Sequence, residues 1–318
     1  MKLLVTGGCG FIGSNFIRHM LNKYPDYEIV NLDKLTYAGN PDNLKDIEDH
    51  PAYYFVKCDI CDAAAVNNIM SKVDTVVHFA AESHVDRSIE DGSAFVRTNV
   101  LGTYTLLDAA LKHGIKRFVH VSTDEVYGSI KEGSFKETDI LTPSSPYSST
   151  KAGSDLLAHS YFITHKLPVI ITRCTNNFGP FQYPEKLIPL FVTNLIEGKR
   201  VPVYGTGMNV RDWIYVLDHC KAIDFILHNG TDGEIYNIGG GAEKTNIEIT
   251  KKILNILGAD ESMIQYVRDR PGHDWRYSLD CSKLRSMGWK PEHTFEEALD
   301  ATVKWYADNE WWWKKLKQ

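Results

Sequence analysis

Along the first half of the chain, short apolar runs alternate with longer stretches in which apolar residues recur every three or four positions. The runs KLLVT (2–6), EIVNL (28–32), YYFVKCD (53–59), DTVVHFA (74–80), RFVHVS (117–122) and PVIITRC (168–174) are rich in β-branched and aromatic residues and predict strands. Helices are expected between them: from about Phe11, after Asp59, from about Ser93 to His113, and from about Tyr147. Strands spaced by helices predict βαβ units and a parallel sheet. DTVVHFA is apolar on both of its faces, as a strand covered by helices on each side must be. From about Asn176 the alternation stops and Gly, Pro and aromatic residues become frequent. Neither an internal repeat nor a low-complexity tract interrupts the chain. A first domain over 1–175 is therefore expected, followed over 176–318 by a smaller and less regular α/β domain that binds substrate, with some of its segments returning to the first.

Composition narrows the function. The 318 residues carry a net charge of -6 and no cationic block, which argues against nucleic-acid and membrane partners. The apolar start MKLLVTGG is too short for a signal peptide and no later stretch approaches membrane length, so a cytoplasmic protein is expected. Six scattered cysteines suit reduced thiols. Cys58 and Cys61 form a C-x-x-C, but no second Cys or His pair stands at matched spacing, and His78 and His84 lack a third partner. No metal is expected.

Candidate chemistry begins at VTGGCGFIGS, which sets Gly7, Gly10 and Gly13 between a β run and a helix. Such a turn lets backbone N–H groups approach a pyrophosphate, which the helix N-terminus favours. With the strand pattern it predicts a Rossmann-like, doubly wound parallel sheet. Asp33 closes the second strand, where a carboxylate accepts hydrogen bonds from ribose hydroxyls and repels a 2'-phosphate. NAD is expected rather than NADP, with Lys34 beside the acid. Asp59 is either an adenine contact or a helix cap. Tyr147 and Lys151 lie four residues apart, on one face of any helix through them, and a nearby ammonium is expected to lower the phenol pKa for proton transfer. Thr123, Asp124 and Glu125 follow directly on the fifth strand.

In order along the chain, TGGCGFIGSNF, LDKLTYAGN, HFAAESHVDRSI, TNVLGTYTLLDAA, VSTDEVYGS, SPYSSTKAGSD, NNFGPFQYPEKLIPLF, RDWIYVLDHC and DRPGHDWRYSLD resemble the extended short-chain dehydrogenase/reductases, and among them the nucleotide-sugar 4,6-dehydratases. The resemblance implies a hydro-lyase that oxidises a sugar at C4, eliminates water across C5 and C6, and returns hydride to C6. Thr123 then hydrogen-bonds the reacting hydroxyl, Tyr147 is the base at O4, Lys151 tunes it and holds the nicotinamide ribose, Glu125 takes the C5 proton and Asp124 protonates the departing C6 hydroxyl. Epimerases of the superfamily typically carry small residues where Asp124 and Glu125 stand. The implied substrate is a nucleoside diphosphate sugar, dTDP-glucose first, with a UDP-sugar dehydratase and a 4-epimerase as the rival readings. A homodimer is implied through helices near 93–113 and 148–165.

The same resemblance places NAD against Gly7, Gly10, Phe11, Ile12 and Gly13, then Asp33, Lys34, Leu35 and Thr36, then Asp59 and Ile60, then Phe79, Ala80, Ala81 and Ser83, and finally Thr98, Tyr147, Lys151 and Asn177. It places substrate against Ser83, Thr123, Asn176, Lys186, Leu187, Pro202, Val203, Tyr204, Arg211 and Asn246, and against the loop Asp269, Arg270, Pro271, Gly272 and His273. Trp275 stands where family members often have a basic residue. Trp311, Trp312 and Trp313 cannot all face one core from a single helix.

Overall fold

Leu3 and Leu4 are both fully buried, yet they enter different apolar clusters. Successive side chains of a strand point to opposite faces, so a strand buried at both positions lies in a sheet covered on both sides. The computed structural model, which describes residues 1–269 and 272–317, has this arrangement. Its strands are β1 (Lys2–Thr6), β2 (Glu28–Asp33), β3 (Tyr53–Lys57), β4 (Thr75–His78), β5 (Arg117–Thr123), β6 (Val169–Cys174), β7 (Asn176–Phe178), β8 (Val201–Tyr204), β9 (Val210–Tyr215), β10 (Ile235–Ile238), β11 (Glu243–Thr245) and β12 (Ile264–Val267).

Seven of them form one sheet in the order β10-β6-β5-β4-β1-β2-β3, and every pairing is parallel. On one face Leu3, Val5, Val77, Val119 and Ile170 meet Phe16, Ile17 and Met20 of the helix Phe11–Lys23 and Ile223 and Ile226 of the helix Val216–Asn229. On the other, Leu4, Val76, Phe118, Val169 and Ile171 meet Val66 and Met70 of the helix Ala63–Met70 and Leu106 and Leu107 of the helix Thr103–Lys112. Each leucine so buried contributes about 1.5–3 kcal/mol, and cutting Leu4 to Ala would cost roughly 2–5 kcal/mol.

The strand order reverses direction between β1 and β4, so connections leave to opposite sides there and a crevice opens at the carboxyl ends of the strands. The later chain forms a three-stranded sheet, β11-β9-β7, and a parallel pair, β12-β8, while β10 adds to the free edge of β6 in the large sheet. The helix expected over 93–113 is helical throughout but widens to a π-helix at Val96–Gly102. The widened turns bring Asn99 Nδ2 to Glu82 O (3.0 Å) and Thr150 Oγ1 (2.9 Å), tying this helix to the loop after β4. Gly102 sits where a Cβ would lie 2.4 Å from Ile60 Cδ1. Among the described residues no helix is long and apolar enough to cross a membrane.

Candidate active site

The carboxyl ends of β1, β2, β4, β5 and β6 converge on a cleft of about 330 Å³. At its first wall Gly7 has φ +72°, a conformation that glycine adopts readily, and a Cβ there would lie 2.7 Å from the Ala80 nitrogen. A Cβ on Gly13 would meet the Gly7 carbonyl oxygen at 2.4 Å. The helix Phe11–Lys23 begins at Gly10 without a side-chain cap, which leaves its N-terminal N–H groups for an anion.

Asp33 accepts from Cys9 N–H (2.9 Å) and Leu35 N–H (2.8 Å), so the glycine turn itself fixes the acid at the end of β2. Burial nevertheless holds the Asp33 carboxyl above its ordinary range. Lys34 is paired with Asp59 at 2.9 Å. Burial acts to raise Asp59, but the Cys61 N–H and the Lys34 ammonium outweigh it and bring the carboxyl down to about 2. Of the two roles open to Asp59, the helix cap is taken by Asp62, whose side chain accepts from Ala64 and Ala65 N–H. A dinucleotide fits these residues: a cradle that side chains would fill, an uncapped helix start, and an acid at the ribose end.

The reacting groups follow from β5. Its last residue, Thr123, caps the 3-10 turn Asp124–Tyr127 by accepting from Glu125 N–H (3.3 Å), and it donates to Asp124 Oδ1 (3.2 Å). Asp124 is 3% exposed and its Oδ2 has no hydrogen-bond partner. Burial, then the Glu125 charge, push its carboxyl well above 3.8, with Arg211 acting in the opposite direction. An acid in this state keeps its proton where ordinary aspartates have lost theirs.

The helix Pro146–His165 starts with a capping box between Ser145 and Ser148, which places Tyr147 and Lys151 one turn apart against the cleft. Lys151 Nζ donates to the Val121 carbonyl at 2.8 Å. The sequence predicts a lowered phenol, and the structure corrects this. Burial, followed by Glu125, Cys174 and Asp124, raises Tyr147 well above 10, with the Thr123 hydroxyl opposing. The Lys151 ammonium is turned to a strand carbonyl, and burial lowers its own pKa.

The cleft wall contains every residue expected to hold NAD except Leu35, together with Thr123, Asp124, Glu125, Asn176 and Lys186. Asn177 Oδ1 is held by His219 Nδ1 at 2.8 Å. Leu187, the first residue of the helix Leu187–Ile196, lies behind Lys186 and off the wall. Arg211 also lies off it: 5% exposed, it donates to the Val210 and Asp274 carbonyls (2.7 and 2.9 Å), with its guanidinium 4.2 Å from the Tyr277 ring centroid.

Pro202, Val203 and Tyr204 sit on β8, paired with Gln265, Tyr266 and Val267 of β12, and the Tyr204 ring lies edge-on to His273 at 6.4 Å. His273 contacts Asp269 at 2.7 Å, Gly272 has φ +64°, and Asn246 begins the helix Asn246–Ile256 with its Oδ1 buried and unpartnered. These residues form a second group off the cleft wall, on the later half of the chain. Arg270 and Pro271 lie outside the described residues. Trp275 is half-exposed.

His78 bonds Thr6 Oγ1 (2.7 Å) and Thr103 Oγ1 (3.0 Å), a buried neutral imidazole serving the sheet. All six cysteines are free, and burial raises the Cys58 and Cys61 thiols, Cys61 to about 11.

The sequence profile of the family described as GDP-mannose 4,6 dehydratase matches residues 4–302. The chain belongs to this family. It is 53% identical over its full length to the dTDP-glucose 4,6-dehydratase of Streptomyces niveus, covering 96% of that protein. It is 54% identical over 98% of its length to the low-salt glycan biosynthesis protein Agl12 of Haloferax volcanii, which it covers completely. Its fold matches the crystal structure of DesIV, a dTDP-glucose 4,6-dehydratase from Streptomyces venezuelae with NAD and TYD bound, at a TM-score of 0.97 and 55% identity, covering 99% of this chain and 100% of that one.

The wall residues of this dehydratase-family chain that escaped sequence reasoning include Tyr37, Gln182 and Glu185. Glu185 accepts from the Tyr37 hydroxyl (3.1 Å) and lies 3.4 Å from His84 and 3.6 Å from Arg87. Only its place next to Lys186 in PEKL signalled it.

Proposed function

We propose that the chain is a dTDP-glucose 4,6-dehydratase that converts dTDP-glucose to dTDP-4-keto-6-deoxyglucose and water. The observation that carries the reading is the fully buried Asp124 with its unpartnered oxygen, set beside Glu125, Thr123 and Tyr147 at the end of β5. An epimerase has no use for a retained proton at that place, whereas an elimination of water needs one.

NAD, when bound, supplies the electron acceptor at C4 and the donor at C6. Gly7, Gly10, Gly13 and Asp33 hold it, with Asp59, Ser83, Thr98, Lys151 and Asn177 completing its surroundings. Thr123 orients the C4 hydroxyl and Tyr147 takes its proton. For Tyr147 to accept that proton, the bound cofactor and substrate would have to offset the burial that raises the phenol. The C4 ketone acidifies C5–H, Glu125 removes that proton, and Asp124 gives its own proton to the C6 hydroxyl, which leaves as water. Glu125 then returns its proton to C5, and the proton that Tyr147 took from O4 passes through solvent to reload Asp124. One acid loaded and one ionised is the division of labour that paired carboxyls need. Asn176 and Lys186 receive the diphosphate side, and Arg211, Asn246 and the β8–β12 group the nucleotide.

The enzyme acts in the cytoplasm, where its free cysteines stay reduced, and as a homodimer. The helices Thr103–Lys112 and Pro146–His165 pack side by side, and Val96, Leu101, Tyr104, Leu156 and Ile163 on this region are exposed apolar side chains. A second copy covering them would bury this face.

Mass spectrometry of the purified protein with NAD and, separately, dTDP-glucose, UDP-glucose or UDP-galactose tests the reading. Loss of one water from dTDP-glucose alone is expected. An unchanged mass with an altered stereocentre would mean an epimerase.

A further inference from the structure

Trp312 is fully buried, and its indole N–H donates to Asn43 Oδ1 at 2.7 Å. Asn43 lies in the short 3-10 turn Pro41–Leu44 and donates from its own amide to the Cys9 carbonyl at 2.8 Å. The Cys9 N–H in turn donates to Asp33 Oδ2 at 2.9 Å. Three hydrogen bonds thus join the end of the chain to the carboxylate at the ribose end of the cleft, passing through the glycine turn.

The same indole supports another residue of the cleft wall. Its ring meets Phe181 edge-on at 5.7 Å, and Phe181 lines the cleft. Phe181 has φ +67°, a conformation that disfavours a phenylalanine and needs fixed surroundings. Trp305 at 4.7 Å and the Arg18 guanidinium at 4.3 Å supply the rest of them. Neighbouring contacts bind the tail in place: Tyr183 OH to the Leu316 carbonyl (3.4 Å), Lys315 to Asp42, and Lys317 Nζ to Asn194 Oδ1 (2.8 Å).

We propose that Trp312 is a positioning residue for the dinucleotide, acting through Asn43 and Cys9 on the glycine turn and Asp33, and through Phe181 on the cleft wall. It sets how tightly NAD is held and takes no part in the chemical step. The inference rests on the NAD reading above. Trp313, whose N–H donates to the Tyr306 carbonyl (2.7 Å), reaches the wall at Gln182 through the Tyr306 hydroxyl rather than at the glycine turn, and Trp311 is 49% exposed.

The test is calorimetric titration of NAD into cofactor-stripped protein, with melting temperatures and steady-state rates alongside. Trp312→Phe keeps an apolar ring and deletes the donor. It is expected to raise the NAD dissociation constant about tenfold, the ~1.4 kcal/mol of one ordinary hydrogen bond, while kcat at saturating NAD stays at the wild-type value. Asn43→Ser breaks the same relay with the tryptophan intact and should weaken NAD similarly. The double variant should be no weaker than either single one, because both act on one path. Trp311→Phe should change nothing. A wild-type dissociation constant in Trp312→Phe, even with a lowered melting temperature, would overturn the inference and leave Trp312 as core packing. Additive losses in the double variant would also overturn the relay. Failure of the unaltered chain to bind NAD would overturn the cofactor reading, and the inference with it.

Discussion

Asp124 and Glu125 are joined by one peptide bond and occupy opposite environments, the first fully buried and the second half-buried at the cleft. Burial and the Glu125 charge together keep the proton on Asp124. A proton retained on Asp124 is what the proposed elimination asks of it.

The Asp124 proton has a cost in stability. A carboxyl whose folded pKa is raised contributes its full stability below the ordinary value of 3.8, and loses it as pH rises through the folded pKa. Asparagine cannot ionise and escapes this loss. Asp124→Asn is expected to lower kcat by about 10²-fold or more and yet to melt higher than wild type at pH 8, the gain vanishing near pH 4. Thermal melts at both pH values and one fixed NAD concentration check it. Equal pH dependence in the two proteins would show that Asp124 ionises normally.

Glu125→Gln should block elimination after oxidation. The reduced cofactor is expected to build up on the protein, seen by its near-ultraviolet absorbance, and the C5 hydrogen should no longer exchange with solvent deuterium. Tyr147→Phe should stop one step earlier, with rates about 10²–10⁴-fold down and no reduced cofactor. Normal turnover of the glutamine variant, or ready cofactor reduction in the phenylalanine variant, would assign these side chains the wrong steps.

On the proposed reading, Asp33 is the residue that selects between the two dinucleotides. Replacing its carboxylate by Ser is expected to weaken NAD about tenfold or more, the range of a hydrogen bond to a charged group, and to improve NADP, whose 2'-phosphate the acid repels. Lys34, which the substitution leaves paired with Asp59, is the neighbouring cation that a 2'-phosphate would draw away from that acid. Titration of both cofactors into the variant measures the switch; unchanged preference would place the ribose elsewhere.

Leu156, 62% exposed on the helix Pro146–His165, tests the dimer. Light scattering should find two chains together in the wild type and one in Leu156→Glu, with melting temperature lowered in the variant. A monomeric wild type would refute the assembly.

The large sheet was legible because each of its strands up to β6 is apolar at successive positions and bounded by turn residues, so period and length agree. The glycine turn, Asp33 and the Tyr147–Lys151 pair were legible for a related reason: each sits at a fixed offset from the end of a strand or the start of a helix. The π-helix at Val96–Gly102 was hidden, since a widened turn leaves no mark in apolar spacing. The upward shift of Tyr147 was hidden because sequence shows the ammonium four residues away but not the depth of burial or the direction of Lys151 Nζ. Tyr37 and Glu185 meet across the cleft from segments far apart in sequence, and no local pattern encodes that meeting.

The late arrival of β10 beside β6 has a consequence for how the protein is made. Val169–Cys174 is buried at every position in the finished fold, yet its outer edge is covered only by Ile235–Ile238. A growing chain that has emerged past Cys174 therefore carries a strand with one row of backbone donors and acceptors unpaired until the later segment leaves the ribosome. Through that interval the edge is open to pairing with the same edge of a neighbouring nascent chain. The finished sheet thus depends on a segment made about sixty residues later to close an edge that its own helices do not cover.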